Sequence, residues 1–165
     1  MDKKLTWGDL FLQDSQLEFQ QIFSCWPQIT GNVLPIGLSA FGDAFFARPD
    51  DSVWRLDSFT GKLRQVAKSQ SEFAEHMNSK EWQEEELRSL LVFELHKRGL
   101  VRGPRQVFAL IPHPAMSENL RLDLCQVMDA VVWHSVSSQV LSQVGGRPVS
   151  EKAQSMAVKP RWKFW

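Results

Sequence analysis

The apolar pattern is densest between positions 34 and 66, where short hydrophobic runs alternate with compact turn signals. An aromatic-rich run over 43–48 stops at Pro49, Asp50 and Asp51. A second run covers 52–57, and Phe59, Thr60 and Gly61 turn the chain into a third over 62–66. β-Branched and aromatic clusters bounded by Pro, Asp and Gly predict antiparallel strands joined by hairpins. Upstream, Leu17, Phe19, Ile22, Phe23 and Trp26 form a loose apolar stripe that predicts a helix over 14–26, ended by Pro27. Residues 28–37, with Gly31, Pro35 and Gly37, read as a linker into the strands.

Downstream, Ser69 and Glu72 have capping-box spacing and predict a short helix reaching Asn78, with Phe73 and Met77 facing the sheet. Residues 80–98 predict one longer helix. Leu87, Leu90, Leu91 and Leu95 share a side, which Trp82 and Phe93 widen into a buried arc. Lys97 and Arg98 suit the negative end of its dipole, and Gly99 is placed to close it. Trp54 and Leu56 are expected in the core against that arc. A fourth strand is predicted over 106–111, stopped by Pro112, His113 and Pro114. Leu120, Leu122 and Leu124 alternate with Arg121, Asp123 and Cys125, which predicts another strand over 120–125. Met128, Val132, Val136 and Val140 recur every four residues and predict a helix over 127–143. Its valine content is poor for a helix, so a strand running on through Val132 competes with that reading.

The mixture without regular strand–helix alternation predicts an α+β fold. It has an antiparallel-rich sheet, with a meander at about 34–66 and strands near 106–111 and 120–125, packed with helices. The expected organisation is an N-terminal helical segment over 1–33, an α+β domain over 34–144 and a tail over 145–165, in one globular domain.

Composition narrows the function. A chain of 165 residues, 43% hydrophobic and 23% charged, suits one ordinary globular core. Net charge is zero, so no global field recruits nucleic acid or an anionic membrane. Residues 81–94 nevertheless carry five Glu against one Arg, and 145–165 carry five basic residues against one Glu. Cys25 and Cys125 lie too far apart for a metal knuckle and read as reduced, buried small hydrophobes. No export signal or membrane-length apolar run is visible, so a cytoplasmic protein is expected. Seven Trp and eleven Phe without Tyr read as core packing.

The sequence holds no phosphate-loop glycine pattern, no zinc spacing and no His-Glu-x-x-His among His76, His96, His113 and His134. No catalytic residue, metal or cofactor is therefore expected. A Cys–His pair stays open, since such residues meet in space, but packing is favoured for both cysteines. Gly42 is read as supplying a positive φ, with Asp43 satisfying amides of that turn and Asp57 doing so for the Thr60–Gly61 turn. The competing reading has Asp43 and Asp57, at neighbouring strand ends, border a cleft with His113. For His113 itself a solvent-exposed loop position is favoured.

Three motifs in order carry a family resemblance. They are Leu38-Ser39-Ala40-Phe41-Gly42-Asp43-Ala44-Phe45-Phe46, then Val53-Trp54-Arg55-Leu56-Asp57, then Gly61-Lys62-Leu63. Together they resemble the C-terminal domain of immunity proteins against type VI secretion DNase effectors, a bacterial domain often paired with a GAD-like domain. The later order also fits: the Phe73 helix, the Leu87 to Leu95 helix, Gly99, Gly103, and Glu118-Asn119-Leu120 before a strand and terminal helix. The resemblance covers 34–144. It departs at Pro112-His113-Pro114-Ala115, where the family's paired glycines are missing. A looser similarity to the SMI1/KNR4-like immunity superfamily points the same way.

The resemblance implies a non-enzymatic cytoplasmic protein that neutralises a cognate secreted toxin by direct binding, without contacting nucleic acid or membrane itself. If that toxin is a nuclease its cleft is basic, and an acidic face can dock there. Glu81 and Glu85, one helical turn apart and opposite the leucine arc, are the candidates, with Glu84 at the margin. Against this stands a plain solvated face with Glu84 paired to Arg88. The alternative function is a small-ligand-binding or housekeeping interaction protein using the Asp43, Asp57 and His113 cleft. For the terminal Lys159-Pro160-Arg161-Trp162-Lys163-Phe164-Trp165, packing back onto the domain or a twin subunit is favoured over a recognition element.

Overall fold

The computed structural model of the chain describes residues 4–13, 17–116 and 122–144. The reading of the tail, and the part of the 120–125 strand before Leu122, lie outside them. The fold is α+β, built on a five-stranded antiparallel sheet in sequential order. Its strands are β1 (Phe11–Leu12), β2 (Leu34–Ser39), β3 (Ala44–Ala47), β4 (Val53–Leu56) and β5 (Leu63–Ala67). The meander stands as its pattern predicts, turning at Gly42 and Gly61, whose φ angles are +92° and +73°. Glycine reaches that left-handed region without Cβ strain.

Part of the expected linker is a strand. β2 pairs with β3 on one side and β1 on the other, through Leu38 opposite both Ala44 and Leu12. Gly37 permits this, because a Cβ there would meet the Phe11 ring at 2.5 Å. The N-terminal segment is correspondingly less helical than predicted. It holds α1 (Trp7–Leu10), β1 and a short α2 (Phe19–Ser24). Sheet-edge pairing of Phe11 and Leu12, distant from β2 in sequence, leaves no local signature.

α3 (Gln70–Met77) starts as its cap predicts: Ser69 Oγ accepts from Glu72 N at 3.0 Å, and the Glu72 carboxylate accepts from Lys68 N at 3.1 Å. The single helix predicted over 80–98 is two, α4 (Lys80–Leu87) and α5 (Ser89–Lys97), parted at Arg88 with φ 53° and ψ 49°. Leu90 consequently leaves the arc and is 44% exposed, while Leu87, Leu91 and Leu95 are buried. Gly99 closes α5 in a Schellman motif, with Leu100 N donating to Leu95 O and Gly99 N to His96 O.

β6 (Gln106–Leu110) pairs with β7 (Cys125–Asp129), and Phe108 N donates to Ala40 O at 2.8 Å, joining this ribbon to the main sheet. The strand predicted over 120–125 is therefore displaced: Leu122–Leu124 is a 3-10 turn, and extended backbone begins where Cys125 meets Leu110. α6 (Ala130–Gln143) begins three residues later than predicted. Asp129 Oδ1 accepts from Val131 N and Val132 N, capping the helix and ending the strand there. The four-residue valine stripe is not its buried face. Val132 is 50% exposed, whereas Ala130, Trp133, His134 and Ser137 are buried, because Trp133 and His134 bring more surface and find hydrogen-bond partners inside.

The core gathers Phe41, Phe45, Phe59, Phe108 and Trp133 with Leu56, Leu87, Leu91 and Leu95. Trp54 is only half-buried, lying under the Arg48 guanidinium at 5.1 Å. No helix among the described residues is long and apolar enough to cross a membrane.

Candidate functional site

The turn at Gly42 sends Asp43 into the core, where it is fully buried. Its Oδ2 accepts from Arg55 Nη2 at 2.8 Å and Arg88 Nη1 at 2.9 Å, and its Oδ1 accepts from Ser58 N at 2.9 Å. Arg55 reaches it from β4, where it stands opposite Phe45 and Arg64. The other end of Arg55 meets Glu86 of α4 at 3.0 Å, and Glu86 also accepts from Arg64 at 2.6 Å. A chain of alternating charge thus runs from Asp43 outward to Arg64. The Arg88 guanidinium lies over the rings of Phe59 at 5.0 Å and Phe41 at 5.6 Å.

Burial by itself would raise the Asp43 pKa, but the charges of Arg55 and Arg88 outweigh it and hold the carboxyl well below its usual range. Asp57 goes the other way. Burial and then the Asp43 charge push its pKa up, against the arginines and the Phe59 amide. Its Oδ1 accepts from Phe59 N at 2.8 Å and Thr60 N at 3.3 Å, the turn role its position suggests.

Ser58 links this cluster to His113. Its hydroxyl donates to Phe41 O and accepts from Trp133 Nε1 at 3.1 Å, and its carbonyl accepts from Ser137 Oγ. Ser137 Oγ lies 2.7 Å from His113 Nε2. His113 is 4% exposed rather than on an open loop, stacked on Trp133 with ring centroids 5.4 Å apart. Its departure from expectation follows from that flat apolar contact, which the two flanking prolines do not reveal. Burial pushes its pKa down to about 4, against a bond at Ser58.

The structure therefore brings Asp43, Asp57 and His113 into one region, but as buried, bonded groups and not as the walls of an open cleft. The Ser137–His113 pair also runs in the wrong direction for nucleophile activation. His113 Nδ1 accepts from Ala115 N at 3.0 Å, so the neutral ring carries its proton on Nε2 and donates to Ser137. A general base needs that nitrogen bare.

The cysteines are half-buried rather than fully so. Cys25 Sγ donates to Gln21 O, burial raises its pKa, and burial raises that of Cys125 to about 12, so neither favours a thiolate. Among the described residues no group of three His, Cys, Asp or Glu could hold a metal ion. An open groove of about 270 Å³ lies between α2 and α6, lined by Cys25, Trp26, Gln28, Thr60, Ser138 and Leu141 with neutral polar groups only.

Glu81 and Glu85 are exposed on α4 and Glu84 is half-buried. Arg88, expected beside Glu84 on a solvated face, is 1% exposed and directed at Asp43. Sequence reasoning missed Arg55, Glu86, Arg88, Ser58, Ser137 and His134 as members of the buried polar system. The available signal was charge inside apolar stretches, at Arg55 between Trp54 and Leu56 and at Arg88 after Leu87.

Compared with known proteins, the chain matches no family model and no curated protein sequence. The resemblance to the immunity domain rests on its motif order alone.

Proposed function

We propose that the chain is a non-enzymatic binding protein, a cytoplasmic immunity protein that neutralises a cognate secreted toxin by direct contact. The observation that carries this reading is the division of acids along α4. Glu86 is turned inward and neutralised by Arg55 and Arg64, while Glu81 and Glu85 face solvent. A rigid helix with outward negative charge complements a basic surface, and a nuclease has one where it holds phosphates. The buried Asp43, Asp57 and His113 support the same reading, because the bonds described above engage them in holding the fold. The motif order from Leu38 to Leu63 adds the class of toxin, a type VI secretion effector.

The small-ligand alternative loses its support, since the residues proposed for its cleft are at most 7% exposed. The test is co-expression with a protein encoded by a neighbouring gene that is toxic when expressed alone. Protection of growth, with a complex that survives size-exclusion chromatography, is the expected result. Unchanged toxicity and separate elution of the two proteins would sink the proposal.

A further inference from the structure

We propose that the Asp43–Arg88 ion pair holds open a break between two helices that the local sequence would join, and so sets the direction in which α4 presents Glu81 and Glu85. The inference concerns the chain alone and stands whether or not those acids meet a toxin.

Nothing local ends a helix at this point. Residues 80–98 contain neither Gly nor Pro. The last turn of α4 has no basic residue and holds Glu84, Glu85 and Glu86, the wrong charge for a helix C-terminus. The first turn of α5 has no acid, and its N-cap, Arg88, makes no side-chain capping bond. Arg88 itself takes the left-handed conformation, with φ 53°, which a Cβ disfavours. Arginine and the leucines at 87 and 90 are good helix formers.

What does act there is tertiary. Asp43 is anchored independently of Arg88 by Arg55 and the Ser58 amide. Its Oδ2 receives Arg88 Nη1 at 2.9 Å from 45 positions away, and Phe41 and Phe59 flank the guanidinium. A buried arginine without its carboxylate would be strongly unfavourable, so the pair outweighs the local preference for unbroken helix. The backbone records the cost. Ser89 and Leu90 are the first two residues of α5, ahead of its first bonds, from Leu91 N and Val92 N to Arg88 O. In an uninterrupted helix their amides would donate to the carbonyls of Glu85 and Glu86.

Amide hydrogen exchange read by NMR on the full chain separates the two arrangements. Wild type should exchange rapidly at Ser89 and Leu90. Arg88→Ala removes the pair and disfavours the left-handed residue, so these amides should slow by about tenfold or more as the helix closes. Arg88→Gly also removes the pair but tolerates the left-handed residue, and should keep them fast. If Arg88→Ala does not fold, Asp43→Asn is read in its place, since it retains an acceptor for the Ser58 amide and loses the charge. Folded Arg88→Ala, or folded Asp43→Asn read in its place, with wild-type exchange at Ser89 and Leu90 overturns the proposal. Loss of folding in both Arg88→Ala and Asp43→Asn does so too, by making the pair a requirement of the whole core.

Discussion

Trp26 Nε1 donates to His134 Nδ1 at 2.9 Å across 108 positions of sequence, and the two rings meet edge to face at 5.8 Å. Both side chains are buried, so this bond ties the end of α2 to α6 inside the core. It also assigns the tautomer, because indole only donates and Nδ1 must accept, leaving the proton on Nε2. Trp26→Phe should cost roughly 2–3 kcal/mol, from a buried acceptor left without its donor and a smaller ring in the same space. Urea unfolding at unchanged m-value measures it. A loss under about 0.5 kcal/mol would mean the bond contributes nothing.

Stability should fall as the protein is acidified through the histidine range. Burial holds His134 at about 4, against the Gly42 backbone and the Asp43 charge, and His113 is held at about 4 as well. The unfolded chain takes up these protons below about pH 6.5 and the folded chain does not until about pH 4, so stability is lost across that window. Between pH 7.5 and 5 the loss should be roughly 2 kcal/mol per histidine. Asp43, with its lowered pKa, adds a loss of the same sign at more acid pH. Asp57, with its raised pKa, has the opposite sign and offsets part of the change. Equal denaturation midpoints at pH 7.5 and 5 would show that the imidazoles are not held neutral.

The break at Arg88 assigns neighbouring leucines to different environments. Leu91→Ala should cost about 2–5 kcal/mol, as buried leucine truncations do, while Leu90→Ala should stay within about 0.5 kcal/mol. Similar losses at both positions would restore a single leucine arc and contradict the exposure of Leu90.

For the proposed partner, Glu81→Lys combined with Glu85→Lys should weaken binding to the basic toxin while leaving the fold intact. The change should fall mainly on the association rate and shrink with added salt, because exposed charges steer encounter and are screened. Kinetic traces that match wild type at both low and high salt would remove this helix face from the interface.

The candidate site was legible only in part. Asp57 stands where its turn chemistry suggests, accepting from Phe59 N, but the amides of the Gly42 turn expected to bond Asp43 are taken by Ser39 Oγ, and Asp43 accepts instead from the distant Ser58 N. The arginines that set the Asp43 charge state were not legible, since Arg55 and Arg88 come from other elements and their sequence neighbours give no hint of a shared carboxylate. His113 looked like a loop residue because its partners, Trp133 and Ser137, lie in α6.

Read alone, the chain specified the strands of the meander, the turns at Gly42 and Gly61, the Ser69 cap and the Gly99 close. Each depends on backbone preferences and hydrogen bonds within a few residues, so the information is contiguous. Tertiary structure decided the second life of the linker as β2, the displacement of the late strand to Cys125–Asp129, the break at Arg88 and the burial of two neutral histidines. There a strand edge needing a partner, or a buried carboxylate needing a cation, competes with a local preference of comparable size. The distant contact wins because leaving a polar group unpaired in the core is the larger penalty.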